Sequence, residues 1–139
     1  IKGYGRALVR EKIVASVSKR LVILVGNKKL TPRLGSRGKL PVEVVPFAAP
    51  TVLFHVRRLG YDGKLYEIDG RPFVSDNGNH ILDVAVAPLS DAAGLQQKLR
   101  TIPGVVDTGL FLGMADTVLV GDDEMFRMTQ ELRRPHGKT

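Results

Sequence analysis

Apolar residues in this chain fall into short runs, and the spacing of those runs changes along the sequence. Residues 7–18 contain no Gly or Pro and follow the breaker Gly3-Tyr4-Gly5, which predicts a helix opening after a glycine loop. Leu21-Val22-Ile23-Leu24-Val25 is a continuous apolar run ending at Gly26. It reads as a strand buried on both faces, as in a parallel sheet flanked by helices. Residues 31–40 are rich in Gly, Pro and charge and read as a loop between two lobes.

After that loop the pattern predicts strands at 42–45, 64–68, 80–86 and 105–112, with helices at 51–59 and 91–100. Ser90 or Asp91 is the expected N-cap of the second helix. Asp69-Gly70 and Asp76-Asn77-Gly78-Asn79 are turn signals between strands. The order strand, helix, strand, strand, helix, strand is that of a ferredoxin-like α+β sandwich. A strand at 117–120 and a helix at about 122–132 are expected to return the chain to the first lobe. The fold class is α/β: part of a Rossmann-like parallel-sheet domain, from residues 1–39 and 114–139, with an inserted ferredoxin-like α+β lobe, residues 40–113.

Composition narrows the chemistry. The chain has 139 residues, enough for one domain or two small lobes sharing a core. It has no Cys, which removes disulfides, thiolate metal sites and a cysteine nucleophile. No apolar run approaches the roughly 18 residues that span a bilayer, and no secretory leader opens the chain, so a soluble, cytoplasmic protein without a membrane partner is expected. Because the chain starts at Ile1 and runs at once into a glycine loop, it is expected to begin mid-protein.

The formal net charge is +7, and it is unevenly placed. Residues 1–40 carry eleven Lys or Arg against Glu11 alone, a net of +10, whereas the remainder is net −3. A front this basic favours an anionic partner, with phosphate esters and nucleic acid as the leading candidates. Nucleic acid is the weaker of these: Tyr4 is the one aromatic near those charges, and no reader motif is present.

Four blocks, in order and spanning almost the whole chain, resemble the type A ribose-5-phosphate isomerase family. They are Lys2-Gly3-Tyr4-Gly5-Arg6-Ala7-Leu8-Val9-Arg10-Glu11-Lys12-Ile13-Val14, Leu40-Pro41-Val42-Glu43-Val44-Val45-Pro46-Phe47, Ser75-Asp76-Asn77-Gly78-Asn79-His80-Ile81-Leu82-Asp83, and Ile102-Pro103-Gly104-Val105-Val106-Asp107-Thr108-Gly109-Leu110-Phe111. Tyr4 and Arg6 stand where the family's glycine-rich loop usually has small residues. The family's phosphate loop and its Asp-Gly-Ala-Asp segment have no counterpart here; the resemblance places both before Ile1.

The resemblance implies an aldose–ketose isomerase working on D-ribose 5-phosphate and D-ribulose 5-phosphate through an ene-diol. A sugar-phosphate-binding module without turnover is the alternative. Glu11 would be the catalytic base, with Lys2, Gly3, Tyr4 and Gly5 holding substrate and Lys29 binding its phosphate. Residues three and four places from Glu11 on a helix are Ala7, Leu8, Val14 and Ala15, so its carboxylate is expected to be partly desolvated and more basic. The competing reading is a solvated helix Glu paired with Arg or Lys. Lys29 lies just past the end of the 21–25 run, where ligands bind in open parallel sheets; alone it would read as a solvated charge beside Lys28.

His55, His80 and His136 are widely spaced and form no metal-ligand pattern. Neither a metal nor an organic cofactor is implied. Expected partners are a small-molecule sugar phosphate and further copies of the chain, as a dimer or tetramer, with no nucleic acid.

Overall fold

A computed structural model of the chain describes residues 1–122 and 128–133. The first elements are helix α1 (Leu8–Val17), strand β1 (Val22–Gly26) and a 3₁₀ turn, Asn27–Lys29. Strand β2 (Lys39–Val44) and helix α2 (Ala49–Arg58) follow, then β3 (Asp62–Leu65) and the small hairpin β4 (Glu67–Ile68) and β5 (Arg71–Pro72), which turns at Asp69-Gly70. Strand β6 (His80–Ala85), helix α3 (Ala92–Arg100) and strand β7 (Val105–Thr108) complete the middle of the chain. It ends in β8 (Thr117–Gly121) and β9 (Met128–Arg133).

Strands β2, β3, β6 and β7 form an antiparallel sheet in the order β3-β6-β2-β7, as a ferredoxin-like strand order requires. Alternation along each strand divides the sheet into two chemically different faces. Leu40, Val42 and Val44 of β2 and Leu82 and Val84 of β6 project into the apolar core. There they meet Val52 and Val56 of α2 and Leu95 and Leu99 of α3, pairs spaced four apart on their helices. Helix α2 begins with a proline in its first turn, and α3 is capped by Asp91, whose Oδ1 accepts from the Gly94 amide at 2.8 Å.

The opposite face carries Pro41 and Glu43 of β2, aligned with Asp83 and Ile81 of β6, while Glu43 also stands opposite Asp107 of β7. This face lies under α1, the loop before it and the turn at 75–79. The second sheet is mixed: β1 runs parallel to β8, and β8 is antiparallel to β9.

Three expectations need correction. Residues 128–133 are a strand, not the end of a helix; pairing from Thr117↔Arg133 to Gly121↔Met128 overrides the helical bias of Gln130, Glu131 and Leu132. The rest of that expected helix, 123–127, lies outside the described residues, as does His136. Strand β1 is not buried on both faces: it is an edge strand among the described residues, and Leu24 is 76 % exposed. The expected strand at 64–68 is interrupted at Tyr66, whose amide still donates to the Ile81 carbonyl of β6 at 2.8 Å before the chain turns into the β4–β5 hairpin.

Core and edge should therefore respond differently to truncation. Leu82→Ala, at a fully buried site, is expected to cost about 2–5 kcal/mol, against about 0.5 kcal/mol or less for Leu24→Ala. Urea unfolding of the 139-residue chain measures both, and equal losses would contradict this account of β1.

Candidate active site

The segment Ile1 to Gly5 runs along the edge of β7 and β2. The Lys2 amide donates to the Gly109 carbonyl at 2.7 Å, and the Gly109 amide donates to the Pro41 carbonyl at 2.8 Å. A Cβ on Gly109 would strike the Lys2 carbonyl oxygen, so the close approach needs glycine there. Gly3 has φ 95°, and a side chain on it would press on Leu8, which is fully buried beneath the loop.

Helix α1 follows with little apolar anchorage. Leu8 is its one buried residue, and Ile13, Val14 and Val17 are exposed. Charged groups supply the attachment instead. The Arg6 guanidinium pairs with both oxygens of Asp83, at 2.6 and 3.1 Å, with the two side chains 8 % and 9 % exposed. Lys12 Nζ donates to Asp107 Oδ1 at 2.7 Å and to the Thr108 carbonyl at 2.6 Å, and lies 5.0 Å from the Phe111 ring centroid. Burial pushes the Lys12 ammonium below the usual lysine range, with the bond to Asp107 opposing.

The third attachment is the turn at 75–79. Arg10 Nε donates to Asn77 Oδ1 at 2.9 Å, and its Nη2 donates to the Asp76 carbonyl. Beneath the turn, Glu43 is fully buried. Its Oε1 accepts from Ser75 Oγ at 3.0 Å and from the side-chain amides of Asn77 and Asn79 at 2.9 Å each. The Asp76-Asn77-Gly78-Asn79 signal is thus a turn whose asparagines donate to one oxygen of a buried carboxylate, while Oε2 has no hydrogen-bond partner. His80 Nδ1 meets the Phe73 carbonyl at 2.9 Å, a structural contact.

Glu11 points away from this polar seam. Its Oε2 lies 3.1 Å from Lys2 Nζ, at the edge of an open cleft of about 570 Å³. The same cleft is lined by Lys2, Tyr4, Lys29, Arg37 and Phe111. Helical neighbours cover Glu11 only in part: its side chain is 41 % exposed, with Val14 facing outward and Ala15 half-buried. The pairing half of the competing reading is what the geometry contains, with the partner supplied by the glycine loop.

Every residue singled out in the sequence, Lys2, Gly3, Tyr4, Gly5, Glu11 and Lys29, lines this one cleft. Lys29 ends the 3₁₀ turn that directly follows β1. Arg37 and Phe111 are among the lining residues that the sequence reading did not single out. Arg37 sat in a segment read only as a linker, and Phe111 closed the fourth block without drawing notice; Lys2 Nζ lies 5.8 Å from its ring centroid. Chemically, three lining cations and one carboxylate make a cleft that attracts an anion and keeps a proton acceptor in reach of it. Among the described residues no cluster of His, Asp and Glu suits a metal ion, and no helix is long and apolar enough to cross a membrane.

Fold and cleft together define an α/β protein with a carboxylate set inside an anion-attracting site. A model of the family ribose 5-phosphate isomerase A (phosphoriboisomerase A) matches residues 1–125, and the chain belongs to that family. It is 47 % identical over 123 residues to ribose-5-phosphate isomerase A of Gloeobacter violaceus, covering 88 % of this chain and 54 % of the relative. It is also 47 % identical over 134 residues to that of Thermomicrobium roseum, covering 96 % of this chain and 56 % of the relative.

Among solved structures, ribose 5-phosphate isomerase A of Methanocaldococcus jannaschii superposes with a TM-score of 0.87 at 35 % identity, over 96 % of this chain and 58 % of that one. A D-ribose-5-phosphate isomerase in complex with phospho-erythronic acid gives 0.87 at 32 % identity, over 96 % and 58 %. The chain spans about half the length of the curated relatives it matches.

The polar seam yields a stability test. Lys12→Ala leaves Asp107 with the Thr108 amide, 2.7 Å away, and the exposed Arg100, 3.9 Å away, but without its close cation, and is expected to cost about 2–4 kcal/mol. Arg10→Ala, at a solvated position, should cost about 1 kcal/mol or less. Denaturant midpoints compare the two, and a Lys12 loss no larger than the Arg10 loss would show that the seam is not what holds α1.

Proposed function

We propose that the chain supplies the base and substrate-binding cations of an aldose–ketose isomerase, one that interconverts D-ribose 5-phosphate and D-ribulose 5-phosphate through an ene-diol. The observation that carries the reading is Glu11, open to the cleft and 3.1 Å from Lys2, with Lys29 and Arg37 lining the same cleft. Family membership and the phospho-erythronic acid bound by a similar isomerase support it.

In this reading the Glu11 carboxylate takes the proton from C2 of the open-chain aldose and returns it to C1, while a proton moves from the C2 hydroxyl to the carbonyl oxygen. Charge gathers on the ene-diolate oxygens between these steps. Lys2 and the amides of the Gly3–Gly5 loop are the donors that stabilise it, held in place beforehand rather than recruited from solvent. Lys29 holds the phosphate. Residues 1–39 and 114–139 form the catalytic part, and residues 40–113 an inserted lobe that supports α1 from below and takes part in assembly as a homodimer or homotetramer. The cytoplasm is the proposed location.

A sugar-phosphate-binding module without turnover is the second reading, favoured by the ion pair that already engages the Glu11 carboxylate with Lys2. Turnover separates the two. In a full-length isomerase carrying this sequence, Glu11→Gln keeps size and polarity and removes the base. It is expected to lower kcat by about 100- to 10,000-fold with little change in substrate binding. Lys29→Ala should instead raise KM. A kcat within a few-fold of the parent in Glu11→Gln would remove the base assignment, and ligand binding with no turnover in the parent would favour the second reading.

Assembly has its own measurement. Phe47 is almost wholly exposed, with Val45 and Phe54 also at the surface of the lobe. Phe47→Asp is expected to reduce the mass seen by sedimentation, and an unchanged oligomer would exclude that surface from the interface.

A further inference from the structure

Between Lys2 and α1 the loop carries two large side chains where small ones are expected. Arg6 sits at φ 69°, a left-handed conformation that a non-glycine residue keeps only when its surroundings over-determine it. The surroundings do so here. Its guanidinium forms a two-bond fork with Asp83 of β6 and lies 3.5 Å from the centroid of the Tyr66 ring.

Tyr4 belongs to the same cluster. Its hydroxyl donates to the Lys39 carbonyl at 3.1 Å, and Lys39 Nζ lies 5.0 Å from its ring centroid and 3.4 Å from Asp83 Oδ2. Burial raises the Tyr4 phenol above its usual range, with Arg37 opposing, which keeps the hydroxyl a donor. The Arg6 amide donates to the Gly3 carbonyl at 3.0 Å and closes the loop between the two side chains.

We propose that Arg6 and Tyr4 are positioning residues, a clamp that fixes the glycine loop to the sheet below and thereby sets Lys2 against Glu11. The catalytic half of this statement rests on the isomerase reading; the structural half does not. Glycines at 3 and 5 make the loop's backbone free, and Ala7 gives α1 no side-chain cap. Lys2 has its backbone bond to Gly109, but nothing in residues 3–5 except Tyr4 reaches the sheet through a side-chain hydrogen bond. Beyond the loop, Arg6 makes the next such contact. A fork fixes orientation as well as distance, which a lysine ammonium at the same place does not.

Arg6→Gly suits φ 69° and leaves Asp83 its contact with Lys39, so the variant is expected to fold. In the 139-residue chain, amide hydrogen exchange at residues 3–6 should quicken about tenfold or more beyond any change in α3. In a full-length isomerase carrying this sequence, kcat should fall about 10- to 100-fold with KM within about threefold, well below the melting temperature. Arg6→Lys should resemble Arg6→Gly rather than the parent in both readouts.

Unchanged exchange in Arg6→Gly overturns the clamp whatever the activity. Faster exchange with parental kcat overturns the positioning role, and parental behaviour in Arg6→Lys overturns the fork. A parent that binds sugar phosphate without turning it over removes the isomerase reading, and loop exchange then still decides the clamp.

Discussion

Helix α1 is held by charge pairs on the polar face of the antiparallel sheet, and the arrangement of the cleft depends on that seam. An amphipathic helix ordinarily finds its rotation by burying an apolar stripe. Here Leu8 alone is buried, so the rotation is fixed by Arg6 on Asp83, Lys12 on Asp107 and Arg10 over the 75–79 turn. Successive residues on an α-helix are turned by about 100°, so placing Lys12 on β7 turns Glu11 off the sheet and toward Lys2.

This explains why the sheet has two chemically unlike faces. Its apolar side packs α2 and α3 in the manner of any small α+β lobe. Its other side carries Glu43, Asp83 and Asp107, three carboxylates that would be costly beneath a helix without partners. The basic front of the chain supplies those partners for two of them, and the Ser75–Asn79 turn supplies neutral donors for Glu43. Part of the +10 charge of residues 1–40 is therefore structural, and Lys2, Lys29 and Arg37 are the part that faces the cleft.

What was legible in the sequence follows the range of the forces involved. Helix α1 was displayed by a stretch without Gly or Pro after a glycine breaker, α3 by its cap chemistry, and the ferredoxin-like order by the succession of such locally specified elements. Glu11 was found through the blocks it shares with a family, but its pairing with Lys2 in particular was not legible. Helical neighbours four residues away describe one side of a helix and say nothing of what stands opposite. The Arg6–Asp83 pair spans 77 residues, and no local pattern announces it. β1 was called buried from its apolar run, whereas covering is a tertiary matter, and β9 took strand form from pairing against its own helical bias.

Buried ion pairs are weak evidence of stability, since well-packed apolar residues of similar volume often serve as well or better. Their use under α1 is better understood as a choice of geometry. An apolar contact tolerates sliding and rotation by fractions of a turn, because dispersion is nearly indifferent to direction. A lysine bonded both to Asp107 and to the Thr108 carbonyl has much less freedom, and a guanidinium forked onto Asp83 has less still. If Glu11 is the proposed base, its angle matters more than extra stability in its helix. The seam fixes that angle from the side of the helix turned away from the cleft.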